Sequence, residues 1–255
     1  MPHKFSWGKF VLALAFVGGL FYLVLERRPE MVKLRGQTMG TTYSIKYLPE
    51  NDPPPKEEIR RDVEAILEEV NREMSTYIDS SIISEFNRSK DRAWMTLPEG
   101  MTQVLQFSLE LARKTEGAFD PTLGPLVNLW GFGPGGERKV PADEQLKKVR
   151  EYVGYGQVLE FRPEKNQLRK LHPKAYLDLS ATAKGFGVDR ISSYLYFQGL
   201  GNHLVEIGGE VKARGMKPQA KWKVGIEVPS DSPGVQKKIA QKVIALKDQA
   251  LATSG

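Results

Sequence analysis

The chain has 255 residues, with Lys+Arg 37 against Asp+Glu 31, a formal net charge of +6, and 40% hydrophobic residues. That is room for one large domain or two small ones around a real core, and the ordinary globular composition excludes a mainly disordered chain and a polytopic membrane protein. With no cysteine there are no disulfides, thiolate-bound zinc or iron–sulfur sites and no thiol nucleophile; the basic residues are spread without a stripe, so nucleic acid is not an expected partner.

Phe10–Leu25 is an unbroken apolar run of about 16 residues, just short of a typical spanning helix and long for the core of a cleaved signal. Lys4 and Lys9 precede it and Glu26-Arg27-Arg28 follows. No small-residue cleavage site closes it, so residues 1–28 read as a signal anchor, with a signal peptide as the alternative. Met39–Tyr47 alternates as a strand does. Asn51–Lys56 is a proline-rich turn. Ile59, Val63, Ile66, Leu67, Val70 and Met74 recur at helical spacing, and Ser84–Trp94 reads as irregular. Met101, Val104, Leu105, Leu109 and Ala112 mark a second helix, which Gly117 stops. Ala118–Gly136 is rich in turns and carries Leu126, Val127, Leu129 and Trp130. A short helix follows over Asp143–Val153, then strands at Val158–Arg162 and Ala175–Leu179, and a helix over Ala181–Phe197. Leu204–Ala213, Trp222–Val228 and Lys242–Leu246 complete the chain as strands. One α+β domain is expected from about Leu34 to Gly255. Its end, Ala250–Gly255, has neither a closing helix nor a polar tail, and suggests a truncated chain.

Four stretches carry possible chemistry. Gly131-Phe132-Gly133-Pro134-Gly135-Gly136 has the letters of a dinucleotide fingerprint, but Pro134 lacks an N–H and no helix follows; a surface loop is expected. Tyr176 to Gly185 runs from strand to carboxylate Asp178, through small residues, into a helix bearing Lys184. That is either an anion or pyrophosphate site or a capped helix with a surface lysine. Ala118-Phe119-Asp120-Pro121-Thr122 is a rigid acidic turn, which either holds side chains toward a ligand or is a plain turn. Ile207-Gly208-Gly209-Glu210 suggests a bulge or close backbone approach. His172 and His203 read as surface or internally satisfied residues. No Gly-x-Ser-x-Gly elbow and no His-Glu-x-x-His helix is present.

In order, Thr38-Met39-Gly40-Thr41, Met74-Ser75-Thr76-Tyr77 with Ser84-Glu85-Phe86-Asn87, Gly117 to Leu126 with Leu129 to Phe132, Asp178 to Asp189 and Leu204 to Glu210 resemble the FAD:protein FMN transferases, the ApbE-type flavin transferases. The resemblance covers everything beyond the apolar run. It implies an ApbE-like mixed sheet with packed helices and a domain outside the bacterial inner membrane. It implies Mg²⁺-dependent transfer of FMN from FAD to a threonine hydroxyl of an acceptor, a subunit of a membrane redox complex, with release of AMP. By matching positions, Met39, Tyr77, Ala118, Phe119, Asp120, Asp178 and Lys184 would line the FAD site, and Ala181 would offer a carbonyl to the metal. The resembled proteins continue past Ala252-Thr253-Ser254-Gly255 with further metal ligands, so weak Mg²⁺ binding and slow transfer are expected of these 255 residues. Two other outcomes fit the same residues: an FAD pyrophosphatase yielding FMN and AMP, and a non-catalytic FAD-binding protein.

Overall fold

β-branched and aromatic residues alternating with polar ones build the central sheet. In the computed structural model it runs in the order β1 (Val32–Thr38), β2 (Thr41–Tyr47), β6 (His203–Ile207), β7 (Glu210–Arg214), β10 (Gln249–Leu251), every pairing antiparallel. The structure describes residues 30–253 except 51, 135 and 229–239. The apolar run Phe10–Leu25, expected as an anchor helix, lies outside them, as do the last two residues. Among the described residues no helix is long and apolar enough to cross a membrane.

One face of the sheet is covered by helices α1 (Lys56–Met74) and α6 (Ser180–Phe197). Ile59, Val63 and Leu67 of α1 and Val188, Ile191 and Leu195 of α6 close over Leu34, Tyr43, Ile45, Val205 and Ile207, all buried. Each fully buried large aliphatic side chain in this layer contributes roughly 1.5–3 kcal/mol. A second core lies between α1, α2 (Ile82–Arg88), α3 (Glu99–Lys114) and a small sheet of β3 (Met95–Thr96), β5 (Gln167–Lys170) and β4 (Leu159–Arg162). Helices α4 (Gly124–Leu129) and α5 (Asp143–Arg150) lie between α3 and β4 in the chain. The hairpin of β8 (Trp222–Glu227) and β9 (Ala240–Leu246) packs Trp222 and Leu246 on the other face of the main sheet, beneath Leu204, Val211 and Ala213.

Where a mixed sheet is expected, every described strand pairing is antiparallel, because each sheet is built from hairpins and antiparallel returns, and several elements differ from expectation. The first strand starts at Val32, and Met39-Gly40 is the turn that ends it. Both residues have positive φ, 50° and 69°, the requirement of a two-residue hairpin turn that matches strand twist. Ser84–Trp94 is not wholly irregular: α2 starts at Ile82, capped by Ser81, whose Oγ accepts the Ser84 N–H at 3.1 Å. The apolar residues in Ala118–Gly136 form α4. Leu204–Ala213 is two strands, because Gly208 and Gly209 (φ 53° and 95°) reverse the chain. Ala175–Leu179, expected as a strand, joins no ladder. Short β3, β5 and β10, with three or four residues or fewer, gave no periodic signal.

His203 shows how the sheet is tied to α6. It is fully buried; its Nδ1–H donates to the Leu200 carbonyl at 2.7 Å and Nε2 accepts from Ser192 Oγ at 2.7 Å. Burial, reinforced by the charges of Arg214 and Lys212 against the opposing Leu200 bond, holds the imidazole pKa below its ordinary value. The unfolded chain therefore takes up a proton that the fold refuses, and stability falls as pH drops through the ordinary histidine range near 6.5. We expect the urea midpoint to decline below about pH 6.5 by at most about 1.4 kcal/mol per pH unit, and His203→Gln to flatten that slope.

Candidate functional site

A cavity of about 280 Å³ opens where three segments meet. The β1–β2 turn supplies Met39 and Gly40. The end of α1 and the loop beyond it supply Asn71, Met74 and Ser75 to Ile78. The first turns of α6 supply Ser180, Ala183 and Lys184. Asn71 Nδ2 donates to Thr38 Oγ1 at 3.1 Å and fixes the turn to α1. The loop after α1 is held by serines: Ser81 Oγ and Ser84 Oγ both donate to the Ser75 carbonyl, at 2.5 and 3.2 Å. Tyr77 stands largely exposed at the rim, its hydroxyl donating to the Phe132 carbonyl at 3.4 Å. It is an open aromatic face of the kind that planar ring systems stack on.

Helix α6 has no capping side chain at Leu179. Asp178 takes that part: Oδ1 accepts the Ser180 N–H at 2.9 Å, placing a carboxylate at the positive end of the helix. One turn in, Lys184 Nζ lies 3.8 Å from a Glu210 carboxylate oxygen, on the first residue of β7. Glu210 thus balances the lysine charge next to the cavity, a pairing that no sequence motif announced.

Met39, Tyr77 and Lys184, expected at the site from sequence, line the cavity together. Ala118, Phe119, Asp120 and Asp178 are not among its lining residues. The Asp178 N–H donates to the Pro121 carbonyl at 2.8 Å, which ties the acidic turn to the α6 entry. Asp120 is committed within that turn. Its Oδ1 accepts from Thr122 N and Oγ1 at 2.8 and 2.7 Å, and its Oδ2 from Tyr155 N at 3.1 Å. Three donors on one carboxylate make it an organiser of the loop rather than a base with a free oxygen. Ala181 is exposed in the first turn of α6.

The glycine-rich stretch behaves as the surface loop expected of it. It follows α4 instead of a strand, and a Cβ on Gly131 would lie 2.0 Å from the Glu137 carbonyl oxygen. The loop is closed on its own backbone. His172 stacks on Tyr152 at 5.5 Å, remote from the cavity lining. For the Mg²⁺ that the sequence resemblance implies, the residues fit poorly. Among the described residues no three His, Asp or Glu side chains converge on a possible metal position, and one carbonyl at Ala181 is far from the six-oxygen shell this ion takes.

Comparison with known proteins now has a geometry to meet. The ApbE family model matches residues 39–255. The FAD:protein FMN transferase of Vibrio cholerae is 40% identical over 232 residues, 90% of this chain and 67% of that protein. That of Haemophilus influenzae is 37% identical, over 95% of this chain and 70% of that protein. Among solved structures, the flavin transferase ApbE from Vibrio cholerae superposes with a TM-score of 0.80 at 40% identity, over 89% of this chain and 72% of that one. The apo flavinyl transferase ApbE of Pseudomonas stutzeri gives 0.79 at 33%, over 89% of this chain and 71% of that one.

Proposed function

This chain belongs to the ApbE family and is an enzyme of flavin transfer; we propose that it moves the FMN half of FAD to a threonine hydroxyl of an acceptor protein and releases AMP. The threonine Oγ forms the new bond to the FMN-side phosphorus, the pyrophosphate P–O bond breaks, AMP leaves with the bridging oxygen, and the hydroxyl proton passes to solvent or phosphate. The reading includes an acceptor subunit of a membrane redox complex and a periplasmic domain held to the inner membrane by residues 1–28; the Mg²⁺ that the resemblance implies finds too few ligands among the described residues to be part of it.

The observation that carries this is the cavity itself. It joins an exposed aromatic, Tyr77, and the pliable thioether of Met39 to a cation, Lys184, standing on the first turns of a helix. Rings suit the first pair. A pyrophosphate suits the last, since a lysine ammonium can share its charge through charge-assisted hydrogen bonds. Charge built up on the phosphate oxygens during displacement is what such a cation stabilises. Asp178 and the Pro121 carbonyl keep the α6 entry in place.

The test is transfer in a mixture of this protein, FAD, Mg²⁺ and a threonine-bearing acceptor, read as flavin fluorescence of the acceptor in a denaturing gel. Fluorescence that vanishes on changing the acceptor threonine to alanine is the expected result. Free FMN and AMP with a dark acceptor would instead identify a pyrophosphatase. Lys184→Ala is expected to weaken FAD retention about tenfold, roughly one charge-assisted hydrogen bond, read by equilibrium dialysis of the flavin.

A further inference from the structure

The outer face of β1 and β2 is an arrangement that a free-standing sheet does not favour. Lys33 pairs directly across from Lys46, and Arg35 from Ser44, on the face opposite α1 and α6. Like charges directly opposite in an antiparallel pair are destabilising. Lys217, in the turn after β7, adds a fourth positive charge: Lys46 is driven below its ordinary pKa by burial first, then by Lys33, Arg35 and Lys217. Glu206 is the acid on this face, and its Oε1 is already accepting the Gly209 N–H at 2.9 Å. Among the described residues, Lys33, Arg35, Lys46 and Lys217 enter no ion pair. The β8–β9 hairpin covers the same side of β6 and β7 with Trp222 and Leu246, in a cluster that Met31 joins just before β1 and that, among the described residues, takes in no residue of β1 or β2 themselves. A half-covered face that gathers cations and does not pair them is waiting for an anion.

We propose that the outer face of β1–β2, through Lys33, Arg35, Lys46 and Lys217, docks on an anionic bilayer surface. The chain itself says why the occupant is a bilayer. Six residues, 26–31, separate the apolar run ending at Leu25 from β1, and fully extended they reach no more than about 20 Å. Lys33 and Lys46 sit at the end of the hairpin nearest that tether, one residue past its start. This step rests on the anchor reading of residues 1–28; the charge argument does not. Anionic headgroups attract each nearby Lys or Arg, and the effect falls off within a Debye length. Docked this way, the cavity at the Met39–Gly40 end of the same strands sits beside the membrane rather than far above it.

The experiment uses the full 255-residue chain in vesicles of phosphatidylcholine, with or without phosphatidylglycerol. The absence of native cysteine allows one fluorophore at Thr42→Cys on this face, or at Ala65→Cys, exposed on α1 on the far side. Lipids with a spin-labelled headgroup serve as the quencher. Strong quenching at position 42 and weak at 65, on anionic vesicles only and abolished by high salt, is expected. Lys33→Gln with Lys46→Gln should cut the face-down to face-up ratio up to about 30-fold. The same variant should raise the melting temperature, because a like-charge pair is gone, which separates lost docking from lost folding. Equal quenching at the two positions overturns the proposal. So does quenching at 42 that ignores lipid charge, salt and the double variant, since the face would then be covered by something other than anionic lipid. If salt strips the chain from neutral vesicles, the anchor reading fails by itself, and the contrast between positions 42 and 65 on anionic vesicles still decides the face.

Discussion

Asn87→Ala is expected to cost about 3 kcal/mol of stability and to lower the melting temperature by about 8 °C. Asn87 uses both ends of its amide on one residue. Nδ2 donates to the Leu177 carbonyl at 2.8 Å and Oδ1 accepts the Leu177 N–H at 2.7 Å. Leu177 is fully buried and lies in no strand, so the side chain stands in for the missing neighbour in a ladder. Truncation leaves a buried donor and a buried acceptor without partners, and each orphan costs about 1–3 kcal/mol, partly relieved by relaxation. The damage does not stay local. The next residue, Asp178, holds both Pro121 and Ser180, so loosening Leu177 loosens the entry of α6 and the position of Lys184. FAD affinity should fall with stability, read by flavin titration below the new melting point. Asn87→Asp sharpens the test. A carboxylate still accepts from Leu177 N but repels Leu177 O at neutral pH, and on protonation regains a donor. Its stability deficit should shrink as pH is lowered, whereas that of Asn87→Ala should not.

This residue also marks the limit of what a sequence discloses. The long helices α1 and α3 are legible because apolar residues recur at their period over 19 and 16 positions, whereas α6 carries no such stripe and is announced by the polar turn before it. The Met39-Gly40 hairpin was readable in hindsight from Gly40 alone, yet the strand before it, Val32-Lys33-Leu34-Arg35, alternates too briefly before Gly36 to declare itself. Met39, Tyr77 and Lys184 were found because ordered motifs resembled a family. Asn71, Asn87 and Glu210 work through partners tens of residues distant, Thr38 for Asn71, Leu177 for Asn87 and Lys184 for Glu210, and no local pattern encodes that. Asp120 was the opposite case: its motif was conspicuous, but only the structure reveals that Thr122 and Tyr155 have claimed its oxygens.

Above neutral pH the fold is expected to become more stable, and Lys170→Met is expected to remove that gain. Strand β5 buries alternate residues, Leu168 and Lys170, so the alternation that should deliver an aliphatic side chain delivers an ammonium. It is 1% exposed, donates to the Asn87 and Ser89 carbonyls at 2.9 and 2.7 Å, and has the Phe86 ring at 5.2 Å. Carbonyls at the end of α2 suit a donor, but among the described residues no carboxylate pairs with the buried charge. Desolvation therefore pulls the pKa from 10.5 to about 8. Between those values the unfolded chain holds a proton that the folded chain has released. Stability contributed by this group is complete above 10.5, is lost as pH falls through 8, and spans about 3 kcal/mol across the window. The phenols of Tyr43, Tyr47, Tyr176 and Tyr194, whose pKa values are raised above the ordinary 10, act in the opposite sense only beyond it. Lys46, also held below its ordinary pKa by burial, acts in the same sense, so between about pH 7.5 and 9.5 it is the difference in denaturant midpoint between wild type and Lys170→Met that isolates Lys170. At pH 7 the methionine variant trades two carbonyl bonds, about 2 kcal/mol, for relief from charge burial of similar size, so the two proteins should be nearly equal there. Near pH 9.5 the wild type should lead by about 2 kcal/mol, because a neutral amine keeps its bonds to Asn87 and Ser89 while methionine has none. Parallel pH curves for the two proteins would show that the ammonium is solvated in solution, and would release Asn87 from the support that its carbonyl is argued to receive.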